Sequence, residues 1–197
     1  MRKIAIFGGS FNPPCSNHQI IARILAKRFD EVVIVPCGAR KDKNSVSMVR
    51  SSDRGVMAKL AFDNLSNVSV DLFDLKNNSF TPTYFLQERY QKIFSDAQIW
   101  HVVGGDIICG GKTGKSEIHR VWHEGEKIWN TLRYAIIKRL GYVISKGDMP
   151  PRSELLEVDV PGISSTIVRE RVREQLPIDE FVDPKVKNYI EQQGLYK

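Results

Sequence analysis

A short apolar run that passes at once into a tight turn and then a helix is the arrangement that most restricts this chain. Lys3-Ile4-Ala5-Ile6-Phe7 is apolar and partly β-branched, the pattern of a strand buried on both faces in a parallel sheet. The stretch Gly8-Gly9-Ser10-Phe11-Asn12-Pro13-Pro14-Cys15-Ser16-Asn17-His18 follows, and then Ile20, Ile21, Ile24 and Leu25 recur at helical spacing. Gln19, Arg23, Lys27 and Arg28 fall elsewhere on the wheel. The two glycines let the backbone turn sharply, and the prolines fix the exit while removing donors that would have nothing to bond. Ser16 or Asn17 is placed to cap the helix, which leaves His18 in the first turn. There the open backbone N–H groups and the positive end of the dipole make an anion site.

Glu31-Val32-Val33-Ile34-Val35 is a second buried strand, so the opening reads as a βαβ unit. Right-handed crossover puts the turn at the carboxyl edge of the sheet, where α/β proteins bind ligands. The loop Pro36 to Lys43 leaves the same edge with three positive charges. A helix capped by Ser51 or Ser52 runs through Arg54, Met57, Leu60 and Ala61 to Asn64, and Val68 to Val70 reads as a third strand. Ser79 to Leu86 opens another helix, with threonine hydroxyls near its start. Ile99 to Val103 is a fourth strand that ends in Gly104-Gly105-Asp106, where Asp106 could accept from ribose hydroxyls or simply cap a helix. After Trp122-His123-Glu124 comes an amphipathic helix through Ile128 and Leu132, then a fifth strand at Tyr134 to Ile137 and a sixth around Leu155 to Val158. Ser164, Ser165 and Thr166 enter a further helix with Arg169 one turn on. This is a phosphate cradle without a glycine loop, or a bare cap on Ser165. A second amphipathic helix through Val186, Tyr189 and Ile190 closes the sequence. The pattern predicts an α/β fold with a doubly wound, mainly parallel sheet and a small C-terminal helical segment, about 163–197. All of it belongs to one domain, 1–197.

At 197 residues the chain is long enough to bury about 70% of its unfolded surface. Three cysteines without Cys-x-x-Cys spacing suggest neither a disulfide framework nor a zinc site. No apolar run reaches the length of a membrane span and no leader precedes the first strand, so a cytoplasmic protein without a membrane partner is expected. The net charge of +6 is spread along the chain with few aromatics interleaved, which favours small phosphorylated ligands over nucleic acid. Gly110 to Ser116 looks like a P-loop, but Cys109 stands where its first glycine is required, so a flexible insertion is expected there. His119 and His123 have no third ligand close by and read as surface histidines rather than a metal site.

The turn resembles the signature of the nucleotidyltransferase superfamily, Gly-x-Phe-x-Pro followed by His-x-Gly-His. Gly9, Phe11, Pro13 and His18 match it; Cys15 replaces the first histidine and Asn17 the glycine. Farther on, Thr81 matches the threonine of a Ser-Tyr-Thr-x-Asp pattern, with Thr83 in place of its aspartate. Gly104 and Asp106 match Gly-x-Asp, and Trp122 with Glu124 matches Trp-x-Glu. Arg139 and Gly141-Tyr142 match Arg-x-Gly-Tyr, and Ile163 to Arg169 reproduces Ile-Ser-Ser-Thr-x-x-Arg. With its tail, the chain is similar to the bacterial nicotinate-mononucleotide adenylyltransferases over nearly its whole length. Only the altered histidine motif and residues 107–121 depart clearly.

That resemblance implies a Rossmann-like nucleotidyltransferase fold and adenylyl transfer from ATP to nicotinate mononucleotide or its amide, with Mg2+ bound to ATP. It implies that ATP is held by Gly8, Gly9, Ser10, Phe11, Cys15 and His18 in the turn, by Gly104 and Asp106, and by Ile163, Ser164, Ser165, Thr166 and Arg169. The mononucleotide would be held by Asn12, Lys43, Thr81, Trp122, which would stack on the pyridine ring, and Arg139. Lys41 is the fallback for Lys43. The attacking phosphate oxygen is already ionised, so no general base is required. Catalysis reduces to aligning two anions and neutralising charge, the task of His18, Lys43 and Arg169. A second reading stands beside this one: a nucleotide-binding regulatory protein on the same scaffold, impaired because Cys15 replaces a histidine. A homo-oligomer is compatible with either.

Overall fold

In the computed structural model, residues 1–39, 49–138, 144–158 and 162–197 are described. Six strands, β1 (Arg2–Gly9), β2 (Glu31–Pro36), β3 (Val68–Val70), β4 (Ala97–Gly104), β5 (Arg133–Ile137) and β6 (Ser153–Leu156), form one sheet in the order β3-β2-β1-β4-β5-β6. Every pairing is parallel. The sheet is therefore wholly rather than mainly parallel, and β6 begins two residues earlier than the periodicity suggests.

The unbroken apolar runs are explained by burial on both faces. Within β1, Ala5 and Phe7 point into one core while Ile4 and Ile6 point into another. In β2, Val32 and Ile34 divide from Val33 and Val35 in the same way, and in β5 Ala135 and Ile137 divide from Tyr134 and Ile136. One face is covered by α1 (Ser16–Ala26), α2 (Ser51–Phe62), α8 (Ser165–Arg173) and α9 (Pro184–Gln193). Leu86 and Tyr90 of α4 (Thr83–Ile93) cover part of the other. Ile108, Ile118, Ile128 and Trp129, from the run α5 (Gly105–Ile108), α6 (Glu117–Val121) and α7 (Gly125–Thr131), cover the rest. A four-residue helix, α3 (Phe73–Lys76), lies between β3 and α4 and has no counterpart in the sequence reading.

The strand order reverses between β1 and β4. The carboxyl ends of these two strands thus form the crevice in which doubly wound sheets take ligands, and the turn after Gly9 and the start of α5 both open there. Among the described residues no helix is long and apolar enough to cross a membrane.

Candidate active site

The turn after β1 is tightly specified. Phe11 adopts φ 44°, the left-handed region that a side chain rarely occupies, and its ring is fully buried against Phe7, Phe62 and His18. Gly9 fits closely beneath it: a Cβ there would lie 3.1 Å from the Phe11 ring. The peptide between Asn12 and Pro13 is cis. Cys15, not Ser16 or Asn17, is the N-cap of α1. Its backbone N–H donates to His18 Nδ1 at 3.0 Å and its Sγ lies 3.1 Å from the same nitrogen. A ring nitrogen that accepts from an amide carries no proton, so the neutral imidazole holds its proton on Nε2.

Ser16 and Asn17 do not cap because their side chains reach other segments. Ser16 Oγ donates to the Glu180 carbonyl, and Asn17 Nδ2 to the Ile163 carbonyl at 2.7 Å. Two further bonds tie α8 to the turn: Ser165 Oγ donates to the Pro13 carbonyl at 2.8 Å and Arg169 Nη1 to the Asn12 carbonyl at 2.8 Å. Arg169 Nη2 also donates to Thr166 Oγ1. Ser164 rather than Ser165 is the N-cap of α8, accepting from the Ile167 N–H. The first turns of α1 and α8, with His18 and Arg169, therefore converge on one edge of the sheet. Burial lowers the Arg169 pKa, and Arg173 adds to the effect.

Asp106 lies in the first turn of α5, whose N-cap is Gly104, so the plain-cap reading of Asp106 does not hold. Gly105 packs closely under Ile144. Beside the segment that leaves β2, Thr81 gives both its donors to the buried carboxylate of Asp74, the backbone N–H at 3.0 Å and the hydroxyl at 2.7 Å. Pro82, not a threonine, is the N-cap of α4. Asp74 also meets Ser79 Oγ, and the Ser79 carbonyl accepts from the Gly38 N–H. A Cβ on Gly38 would lie 2.2 Å from that carbonyl, so the segment after β2 and the segment before α4 touch through backbone alone. Trp122 follows α6, half-buried, and its indole N–H donates to Glu117 at 3.1 Å. Lys43, its fallback Lys41 and Arg139 lie outside the described residues.

Other expectations are corrected. The helix expected from Ser51 or Ser52 to Asn64 has Arg50 as N-cap and Asp63 as C-cap, because Ser51 Oγ donates to Asn78 instead. The stretch that looks like a P-loop forms a 3-10 turn over Gly111–Thr113, pinned by the Lys112 N–H on Asp148 and packed so closely that a Cβ on Gly111 would strike Trp129. His119 is no surface residue. Its side chain is 8% exposed, it bonds Ser116 Oγ at 2.6 Å and it packs on Trp129, while His123 is exposed and stacks on Phe85. Among the described residues no group of three or more His, Cys, Asp or Glu gathers to hold a metal.

Three residues that the sequence reading left without a role support the site. Asp74 anchors Thr81, as above. Tyr196 donates to Asn12 Oδ1 at 2.6 Å, and burial raises its pKa. Arg54 Nη1 donates to the carbonyls of Ser10 at 3.0 Å and Cys37 at 2.7 Å, joining the segments that leave β1 and β2. No motif marks these residues, since each acts through contacts distant in sequence.

The family model described as cytidylyltransferase-like matches residues 6–171. The chain is 28% identical over a 201-residue alignment to the nicotinate-nucleotide adenylyltransferase of Bacillus subtilis, covering all of both chains. It also superposes on the nicotinic acid mononucleotide adenylyltransferase of Plasmodium falciparum, solved in complex with NaAD. The TM-score is 0.77 at 25% identity, covering 100% of this chain and 98% of that one.

Proposed function

We propose that this chain, which belongs to the cytidylyltransferase-like family, transfers the adenylyl group of ATP to nicotinate mononucleotide in NAD biosynthesis. An oxygen of the mononucleotide phosphate attacks the α-phosphorus of ATP. A new P–O bond forms, the bond to the β-phosphate bridge breaks, and pyrophosphate leaves with the displaced electron pair. The observation that carries this reading is the meeting of the α1 and α8 first turns, with His18 and Arg169, at the switch point of the sheet. Such a site supplies donors and positive charge without a nucleophile, which is what phosphoryl-type transfer between two anions asks of a protein.

In this reading ATP lies along Gly8, Gly9, Ser10, Phe11 and Cys15, with Gly104 and Asp106 toward its ribose and Ile163, Ser164, Ser165 and Thr166 toward its phosphates. His18 offers its Nε2 proton to a phosphate oxygen and Arg169 spreads charge over the transferring group. We assign Lys43 to the same task and, with Arg139, to the mononucleotide. Asn12 and Trp122 face that second substrate, the indole covering the pyridine ring. Thr81, with both donors on Asp74, shapes this side through its loop. We take Mg2+ to arrive as its complex with ATP, because, Asp106 apart, the charged side chains gathered here are cations. The bound ion lowers the negative charge that the two substrates must bring together. We read residues 1–197 as a single nucleotidyltransferase domain with a C-terminal helical part, about 163–197, in the cytoplasm. The regulatory, non-catalytic reading finds no support among these relatives.

The test is pyrophosphate release from Mg-ATP with nicotinate mononucleotide, with nicotinamide mononucleotide, or with no acceptor, run alongside Cys15→His. Release that depends on the nicotinate acceptor is expected. Cys15→His should speed it by about tenfold or more, as an added donor to the developing charge does. No release with either acceptor would overturn the proposal.

A further inference from the structure

Arg54 sits in the first turn of α2 and is 1% exposed, among the largest fully buried side chains of the molecule. A guanidinium is always charged in practice, and a buried charge is costly unless paired. Here no pairing is found: among the described residues no carboxylate lies within ion-pair distance of Arg54. Its neighbour Asp53 takes Arg50 at 3.0 Å and the Tyr189 hydroxyl at 2.9 Å instead. Nη1 reaches two carbonyls, but Nε is buried with no hydrogen-bond partner. Burial lowers the Arg54 pKa, and the groups that offset this are the Cys37 thiol and the Tyr196 phenol, not an acid. The positive end of the α2 dipole adds to the imbalance.

We infer that Arg54 is a positioning residue for the polyphosphate. Its guanidinium fastens the Ser10 turn to the Cys37 segment, and its charge, which meets no carboxylate among the described residues, is met by the triphosphate of bound ATP. The inference rests on the proposed function and deepens it, for it assigns the field beneath the turn to a residue that touches no substrate. A charge left unmatched in the free protein and matched in the complex couples ligand affinity to that charge. A residue whose role is to hold the fold would instead be matched before any ligand arrives.

The test compares Arg54→Met with Arg54→Lys, using inorganic tripolyphosphate and, as an uncharged control, adenosine. Affinities come from calorimetry and unliganded stability from thermal melting. The Met variant should bind tripolyphosphate about tenfold more weakly, with adenosine binding unchanged and an unliganded Tm lowered only by the loss of the two carbonyl bonds. The Lys variant should keep most of the tripolyphosphate affinity yet lower kcat, because it lacks the fork that spans two carbonyls. Equal tripolyphosphate affinity in native and Met proteins would overturn the inference alone, as would a Lys variant as weak as the Met one. If R54M does not fold, R54K against R54Q decides the same point. A native protein that binds neither Mg-ATP nor tripolyphosphate would overturn the proposed function itself.

Discussion

Around the β1 turn, side chains end on main-chain carbonyls: Arg169 on Asn12, Ser165 on Pro13, Asn17 on Ile163 and Arg54 on Ser10 and Cys37. Elsewhere they end on carboxylates: Thr81 on Asp74, beside the segment after β2, and Trp122 on Glu117, after α6. A carbonyl orients a cation without cancelling it, so the first region keeps its charge for an anion. A carboxylate that takes both Thr81 donors and the Ser79 hydroxyl fixes its loop in one shape. One side is built to act on charge and the other to hold a shape.

The largest effect should come from breaking the charged side. Arg169→Ala is expected to lower kcat/KM for ATP by a factor on the order of 10² to 10³, the usual cost of one preorganised donor to a transition-state oxyanion. Pyrophosphate-release kinetics would show this with little change in KM for the mononucleotide; an equal loss for both substrates would erase the distinction between the two sides.

Acid should act on the shape-holding side. His101 in β4 meets Gln87 of α4 at 2.9 Å, and complete burial pushes its pKa down to about 4. Between the ordinary value near 6.5 and about 4 the unfolded chain binds a proton that the folded one refuses. Stability is therefore full above pH 6.5 and lost as pH falls, by on the order of 3 kcal/mol at the bottom of that window. Urea unfolding at pH 7 and pH 4.5 should show the loss, and His101→Gln should reduce it; an undiminished loss would place the titration elsewhere.

Asp74→Asn comes next. It replaces an acceptor of two Thr81 donors by a group that must turn one N–H toward them, and an unsatisfied buried donor costs about 1 to 3 kcal/mol. Denaturation midpoints should fall, and KM for the mononucleotide should rise while KM for ATP holds. The smallest effect is that of Trp122→Ala. Loss of one aromatic stack, at about 0.5 to 1.5 kcal/mol, should raise KM for the mononucleotide by roughly tenfold or less. A matching rise for ATP would remove Trp122 from the acceptor side.

Much of the scaffold was legible because buried parallel strands write themselves as apolar runs. All six strands, the βαβ opening, the helix after β1 and the helix before β5 could be placed from residues such as Ile4, Ile34 and Ile136. The four-residue α3 could not, being too short to show a period. The caps were misplaced by one residue on α1 and α8 because Ser16 and Ser165, adequate caps locally, are drawn to Glu180 and Pro13. Arg54 read as one position of the helix that runs through Met57, Leu60 and Ala61. Only the approach of α2 to the sheet edge reveals that it lies inside, and His119 was misjudged for the same reason.

The bond between Asn12 and Tyr196 joins residues 184 positions apart, among the most distant partners in the molecule. The central strand β1 and its turn are synthesised among the first residues, yet β1 pairs with β4 only after residue 97, and Asn12 meets its phenol only after residue 196. Loop-closure entropy makes contacts of that span the last to repay their cost. On a ribosome, the part of the chain made first is thus the part whose final geometry is completed last. A half-made chain can carry the glycine turn and strands β1 to β3, but the loop at the centre of the future sheet does not yet have the phenol that holds Asn12 in place.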